Sequence, residues 1–197
     1  PEIPGAKKVN MKFLIEGYVD GTATLKPVLM NQGIGMDTSV TDWVNVELHN
    51  QNAPYNIVSS TDAKLKVNGT SEASFSPALS GSYYLAVKHR NAIKTWSSTP
   101  FSIDSSATFY DYTASNNKSY GSNQVEVSPG IWAFYSGDIN QDENIDLADF
   151  SLLELDINNF EFGYKATDIN GDGSVDLQDV PLLELNSNSF IFSNHPQ

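Results

Sequence analysis

The sequence predicts a mainly β chain in two parts, a two-sheet sandwich followed by a small α-helical tail, on three observations. Between Asn10 and about Phe101 apolar residues recur with period two, the spacing of half-buried strands. Residues 138–162 recur as 168–192, a shift of 30, with fourteen identities over 25 aligned positions. Charge divides the chain at the same place: residues 1–136 carry 11 acids and 10 bases, whereas 137–197 carry 13 acids and one base, Lys165. The expected division is therefore a sandwich over 1–105, a bridging β-hairpin or linker over 106–136, and a duplicated tail over 137–197.

The strands follow in order. Segments are expected around Phe13–Tyr18 and Leu25–Met30. Val44, Val46 and Leu48 alternate with Asn45, Glu47 and His49. After a short strand at Tyr55–Val58, Ala63, Leu65 and Val67 alternate with Lys64 and Lys66, and Asn68-Gly69 is a hairpin cue before Ala73 and Phe75. Tyr83, Leu85, Val87 and His89 share one face of the next strand, opposite Tyr84, Ala86, Lys88 and Arg90. Phe101–Ile103 adds a last piece. Seven or eight short strands in about 95 residues suit an immunoglobulin-like sandwich, and Ser80-Gly81-Ser82-Tyr83 reads as its tyrosine corner. In 106–136, Phe109–Tyr112 and Ile131–Tyr135 continue the β pattern, with Trp132 and Phe134 available to pack between the two parts.

In each tail copy, oxygen-bearing side chains fall at loop positions 1, 3, 5, 9 and 12. They are Asp138, Asn140, Asp142, Asp146 and Asp149 in the first copy and Asp168, Asn170, Asp172, Asp176 and Asp179 in the second. This is EF-hand spacing: calcium takes six to eight hard oxygen ligands, and a winding loop offers them from alternate residues plus the carbonyl of position 7, here Asn144 and Ser174. Four Asp per loop would repel one another without a counter-ion. Two calcium ions are expected; magnesium suits the sites less, because it prefers octahedral geometry and keeps its waters. Ile145 and Val175 at position 8 are the apolar anchors. Position 6 needs a positive φ, which Gly173 takes freely and Glu143 takes at a cost of roughly 1 kcal/mol, so the first site is expected to be weaker. Leu147–Leu155 and Leu177–Leu185 read as exiting helices whose leucines meet in the middle, with Pro181 shortening or kinking the second.

These motifs, Gly-Asp-x-Asn-x-Asp with Asp at position 12, a Leu-Leu helix and a near-copy 30 residues on, resemble the duplicated F-hand of a type I dockerin over 137–192. The resemblance implies calcium loops without incoming helices and a role in protein–protein contact. Cellulosomal dockerins meet cohesin through a small hydroxyl pair at positions 10 and 11 with basic residues in the following helix. This chain has Leu147-Ala148 and Leu177-Gln178 there, with Glu154 and Glu184 in the helices, which points to a different partner. Residues 83–90 (Tyr-Tyr-x-x-Val-Lys-His-Arg) and 135–138 (Tyr-Ser-Gly-Asp) also resemble C-terminal modules of secreted surface proteins of Bacteroidetes. That likeness implies a secreted or cell-surface, outer-membrane-associated setting.

Composition bounds the function. The formal net charge of −13 disfavours nucleic acid and anionic lipid and favours cations. No apolar run approaches the roughly 18 to 20 residues of a membrane span, and no signal peptide stands in this chain, whose start at Pro1 fits a processed product or excised fragment. With no Cys, no G-x-S-x-G and no H-E-x-x-H, no reactive set is visible, and His49, His89 and His195 stand apart. The expectation is a non-catalytic, calcium-stabilised interaction module whose partner is a protein at the cell surface or in a secretion or attachment complex. The alternative is a carbohydrate-binding module taking polysaccharide on Trp43, Trp96 or tyrosines of the sandwich. Lys88, Arg90 and Lys94 read as a solvated strand face or a contact for an acidic partner.

Overall fold

The computed structural model describes residues 4–21, 23–105 and 107–197. Residues 1–3 and Thr22 of the sandwich segment, and Ser106, where the bridging segment begins, lie outside the described residues. In chain order the elements are β1 (Lys7–Lys12), β2 (Val19–Asp20), β3 (Thr24–Leu25), α1 (Val28–Asn31), β4 (Val40–Asn50), β5 (Ile57–Lys66), β6 (Thr70–Phe75), β7 (Ser82–His89), β8 (Ala92–Trp96), β9 (Phe101–Ser102), β10 (Ala107–Asp111), β11 (Val125–Ser128), β12 (Ile131–Ala133), α2 (Leu147–Asn158) and α3 (Val180–Asn188).

The main sheet runs β10-β1-β6-β5-β4-β7-β8, with β9 also on β7. β5 and β6 share one register pair, Leu65↔Ser71, and there the path folds over into two layers. Inward residues of both layers fill one core: Val9 and Met11 from β1, Ala73 and Phe75 from β6, Val44, Val46 and Leu48 from β4, Leu85 and Val87 from β7. The fold is thus mainly β and sandwich-like, with a helical C-terminal region, as the period-two pattern predicts. Gly69 makes the turn between β5 and β6 at φ +79°, and a Cβ there would sit 2.9 Å from the Phe13 carbonyl oxygen. The Asn68 side chain accepts from the Thr70 amide (3.0 Å) and closes that turn. The corner tyrosine behaves as read: Tyr83 Oη donates to the Ser80 carbonyl (2.7 Å).

Two expected strands take other forms. Leu25–Met30 pairs only at β3 and then turns into α1, because Pro27 has no N–H to extend a ladder and presets the first helical turn. Phe13, Leu14 and Ile15 are all buried, so they cannot be half-exposed. The chain leaves the sheet after Lys12, is held by Leu14 and Glu16 to the Phe134 backbone (2.9 and 3.0 Å), and forms a 3-10 turn at Glu16–Tyr18.

Within 106–136, β10 joins the main sheet as a parallel partner of β1, and β11 with β12 makes the hairpin. Phe134 lies in the sandwich core, stacked on Phe13 at 5.1 Å, rather than between the two parts.

The tail has its own core of Ile139, Ile145, Leu153, Ile169, Val175 and Leu183, to which the sandwich lends Ile93 of β8. Only Leu153 and Leu183 of the leucine runs are fully buried there; Leu155 and Leu185 face outward. α3 is the shorter helix, nine residues against twelve in α2, as Pro181 suggests. The helix starts later than the leucine pattern suggested, with Pro181 in its first turn, where a missing N–H costs nothing.

Candidate metal centre

Each loop is wound by its own short side chains. In the first, Asn140 Oδ1 accepts from the Asp142 amide, Asp142 Oδ1 from Asn144 (both 2.9 Å) and Asp146 Oδ1 from Ala148 (2.7 Å). The second repeats these bonds: Asn170 to Asp172 (2.8 Å), Asp172 to Ser174 (2.9 Å), Asp176 to Gln178 (2.7 Å). Position 12 closes the loop in both copies. Asp149 accepts from Ile139, Asn140 and Asp146, and Asp179 from Ile169, Asn170 and Asp176, all at 2.7 to 3.0 Å. The spacing read from sequence therefore produces two loops that share the bonds of positions 3, 5, 9 and 12 and differ at position 1, where Asp168 accepts from the Gly171, Asp172 and Gly173 amides while Asp138 Oδ1 has no partner.

Among the described residues no three carboxylate or imidazole groups converge into a ligand cage, since the carboxylates are turned onto backbone amides. The charge arrangement nevertheless fits a cation. Asp138 is buried, its Oδ1 has no hydrogen-bond partner, and its pKa is pushed up to about 7 by burial and by Asp149 and Asp142. Burial likewise raises Asp179 to about 6, with Asp168 adding to it, and raises Asp149 and Asp168. A hard divalent ion would neutralise these groups and satisfy the orphaned oxygen.

The apolar anchors pair crosswise. The Ile145 amide donates to the Ile191 carbonyl (2.9 Å) and the Val175 amide to the Glu161 carbonyl (3.1 Å), so each loop is clamped by the closing Phe-x-Phe of the other copy. The copies are intertwined rather than stacked.

The loops differ in what surrounds them. Positions 4 and 6 both take positive φ: Gln141 (62°) and Glu143 (72°) in the first loop, Gly171 (72°) and Gly173 (97°) in the second. A Cβ on Gly173 would lie 2.4 Å from the Asn31 carbonyl oxygen, and one on Gly171 2.6 Å from Val28 Cγ2. The second loop needs glycine twice over, for its turn and to seat on α1. Asn31 Nδ2 donates to the Gly171 carbonyl (2.9 Å), Lys26 Nζ to that of Asn170 (2.8 Å), and Gln32 Nε2 to Asp168 Oδ2 (2.5 Å). Sequence reasoning missed this seat; the pair of glycines four and six places into one loop was its signal.

The strand-face basic cluster is also relocated. Asp42, fully buried in β4, accepts from Arg90 Nε (2.9 Å), His89 Nε2 (3.1 Å) and Tyr164 Oη (3.1 Å). Burial alone would raise its pKa, but the His89 hydrogen bond and the Arg90 guanidinium reverse this and hold it at about 2. Arg90 donates onward to the Lys165 carbonyl, Tyr18 Oη (2.6 Å) and Gln32 Oε1 (2.9 Å). Lys94 pairs with Glu47 (2.8 Å) and reaches Glu143 (3.7 Å). The acidic partners of Arg90 and Lys94 are in this chain itself: Asp42 and Glu47 on β4, with Glu143 of the tail at longer range.

Replacing Glu143 by Gly should tighten the first site about fivefold, since roughly 1 kcal/mol of positive-φ cost disappears. The long, partly exposed contact with Lys94 that is lost contributes little. Calcium titration calorimetry on E143G and the parent at 0.15 M salt reads the change; weaker binding would mean that Glu143 is a ligand.

Comparison with known proteins places the tail. Residues 136–185 match the family model described as dockerin type I domain. No curated protein matches the chain significantly. Among solved structures, a type II cohesin-X-dockerin complex from Acetivibrio cellulolyticus, a C-terminal interface mutant, contains a chain that is similar over 92% of this chain and 95% of its own length. The TM-score is 0.54 at 15% identity. A chain of the N-terminal interface mutant of that complex is similar over 96% of this chain and 94% of its own, with TM-score 0.47 and 16% identity. The dockerin-like tail behind a β-sandwich is thereby borne out, and dockerin type I domains bind calcium.

Proposed function

We propose that the chain is a non-catalytic, calcium-stabilised attachment module of a secreted or cell-surface bacterial protein, holding two calcium ions and docking a protein partner through its tail. Asp138, Asn140, Asp142, Asp146 and Asp149, with the Asn144 carbonyl, would hold one ion. Asp168, Asn170, Asp172, Asp176 and Asp179, with the Ser174 carbonyl, would hold the other. The ions supply no chemistry beyond fixing the loops. The same reading keeps the division into sandwich (1–105), bridge (106–136) and calcium tail (137–197).

One observation carries the docking role: the tail exposes large apolar side chains in matched pairs. Leu147 and Leu177 are 76% and 74% exposed, Phe160 and Phe190 86% and 84%, and Leu155 with Leu185 and Phe162 with Phe192 are also exposed. Large apolar side chains left this exposed in both copies are candidates for burial by a partner. Near one pair Leu147, Ala148, Ser187 and Phe190 line an open groove of about 450 Å³. Affinity capture from the native cell envelope should recover a partner in calcium and lose it in chelator. The double substitution Leu147→Asp with Leu177→Asp should abolish capture while leaving calcium binding intact. Capture that survives both changes would place the contact elsewhere.

A further inference from the structure

We propose that Gln32, a residue of the sandwich, is a positioning residue of the second calcium site, so that the affinity of that loop is set from outside the tail; this rests on the two-ion reading above. Asp168, the position-1 ligand of that loop, is fully buried, and the sandwich grips it at both ends. Gln32 Nε2 donates to its Oδ2 (2.5 Å), and Asn91 Nδ2 donates to its main-chain carbonyl (3.1 Å). Gln32 is itself only 5% exposed. Its neighbours force the orientation of its amide: the carboxylate on one side only accepts, and Arg90 Nη2 on the other only donates (2.9 Å). Arg90 is fixed in turn by buried Asp42 (2.9 Å), and both Arg90 and Asn91 donate to Tyr18 Oη (2.6 and 3.1 Å). A chain of hydrogen bonds therefore runs from β4 through Arg90 and Gln32 to a calcium-ligand side chain.

The two copies differ in what the sandwich adds. Among the described residues no sandwich side chain hydrogen-bonds to Asp138, whose Oδ1 is without a partner, and Lys94 reaches the first loop only at Glu143 (3.7 Å), outside the ligand set. The second site therefore has a source of asymmetry that is independent of position 6. Its physical basis is preorganisation: a carboxylate already tied through one oxygen loses less freedom when it takes a cation, and outer hydrogen bonds of this kind change metal affinity by about 10- to 100-fold. A neutral amide suits the task, because it orients the carboxylate without a positive charge that would compete with the ion. Asn31 and Lys26 seat the same loop in another way, on the main-chain carbonyls of Gly171 and Asn170, neither of which belongs to the ligand set.

Calcium-buffered titrations of the full chain test this, followed by amide NMR signals of Gly171 and Gly173 for the second loop and of Gln141 and Glu143 for the first. Gln32→Met keeps the length of the side chain and removes both polar ends. It should weaken the second site about tenfold, the lower end of the range because three loop amides still hold Asp168, and leave the first site as in the parent. Asn31→Ala removes a seat of the same loop but no bond to a ligand side chain, and should leave the second-site affinity close to the parent's. Amide signals of Val44–Leu48 and Tyr83–Val87 show whether each variant is folded; should Gln32→Met unfold, Gln32→Ala, which leaves space for water beside Arg90 and Asp168, carries the comparison. Three results would overturn the proposal while leaving the calcium reading in place: an unchanged second site in a folded Gln32 variant, equal weakening of both sites, or a loss in Asn31→Ala as large as in Gln32→Met. A parent chain that takes up calcium at neither loop would overturn both.

Discussion

Arg90→Ala should destabilise the chain by about 3 to 5 kcal/mol, because it leaves a buried carboxylate without its guanidinium partner. Asp42 would retain His89 and Tyr164 but lose its strongest countercharge, and the Lys165 carbonyl, Tyr18 and Gln32 would lose their shared donor. Arg90 also lies over the Tyr164 ring at 4.4 Å, so packing between sandwich and tail is lost along with charge. Arg90→Lys keeps the charge without the planar fork and should recover only part of the loss. Urea titrations followed by tryptophan fluorescence measure this, and a loss below about 1 kcal/mol would show that Arg90 is not the pin between the two parts.

The same network fixes the response to acid. Asp42 stands at about 2 in the folded chain against an ordinary 3.8, so its contribution is complete above 3.8 and is lost as pH falls through about 2. Asp42→Asn should therefore be less stable than the parent near pH 6, with the difference narrowing between about pH 4 and pH 2. A gap that stays constant through that range would mean that Asp42 is not ionised in the native state.

The second large effect is expected from calcium removal. On the two-ion reading, each site at 100 to 1,000 times its Kd contributes about 2.7 to 4.1 kcal/mol, since the unfolded loop cannot hold the ion. Chelation should raise hydrogen exchange over 138–185 while Val44–Leu48 and Tyr83–Val87 stay protected. The structure adds a detail: α1 and Gln32, which seat the second loop, should loosen with it, whereas the Asn68-Gly69 turn should not. Uniform loosening would contradict the division of the chain, and no change would contradict the calcium reading.

The sequence by itself determined the features that are local in the chain. Period-two alternation located β4, β5, β6 and β7, Asn68-Gly69 their turn, Tyr83 its corner, and Asp/Asn spacing the two loops, because each depends on backbone geometry within a few residues. Where a local rule outranked the pattern, the reading slipped: Pro27 turned an expected strand into α1, and Pro181 set a later start for α3. What only the tertiary structure decided joins residues about 50 to 140 positions apart: Arg90 with Asp42 and Lys165, Gln32 with Asp168, and the crosswise clamp of Ile145 by Ile191. The side that Trp43 shows to solvent and the burial of Trp96 belong with these. An alternating pattern states that a side chain has a face, whereas burial and charge pairing depend on which distant element covers that face, and chain order does not encode this locally.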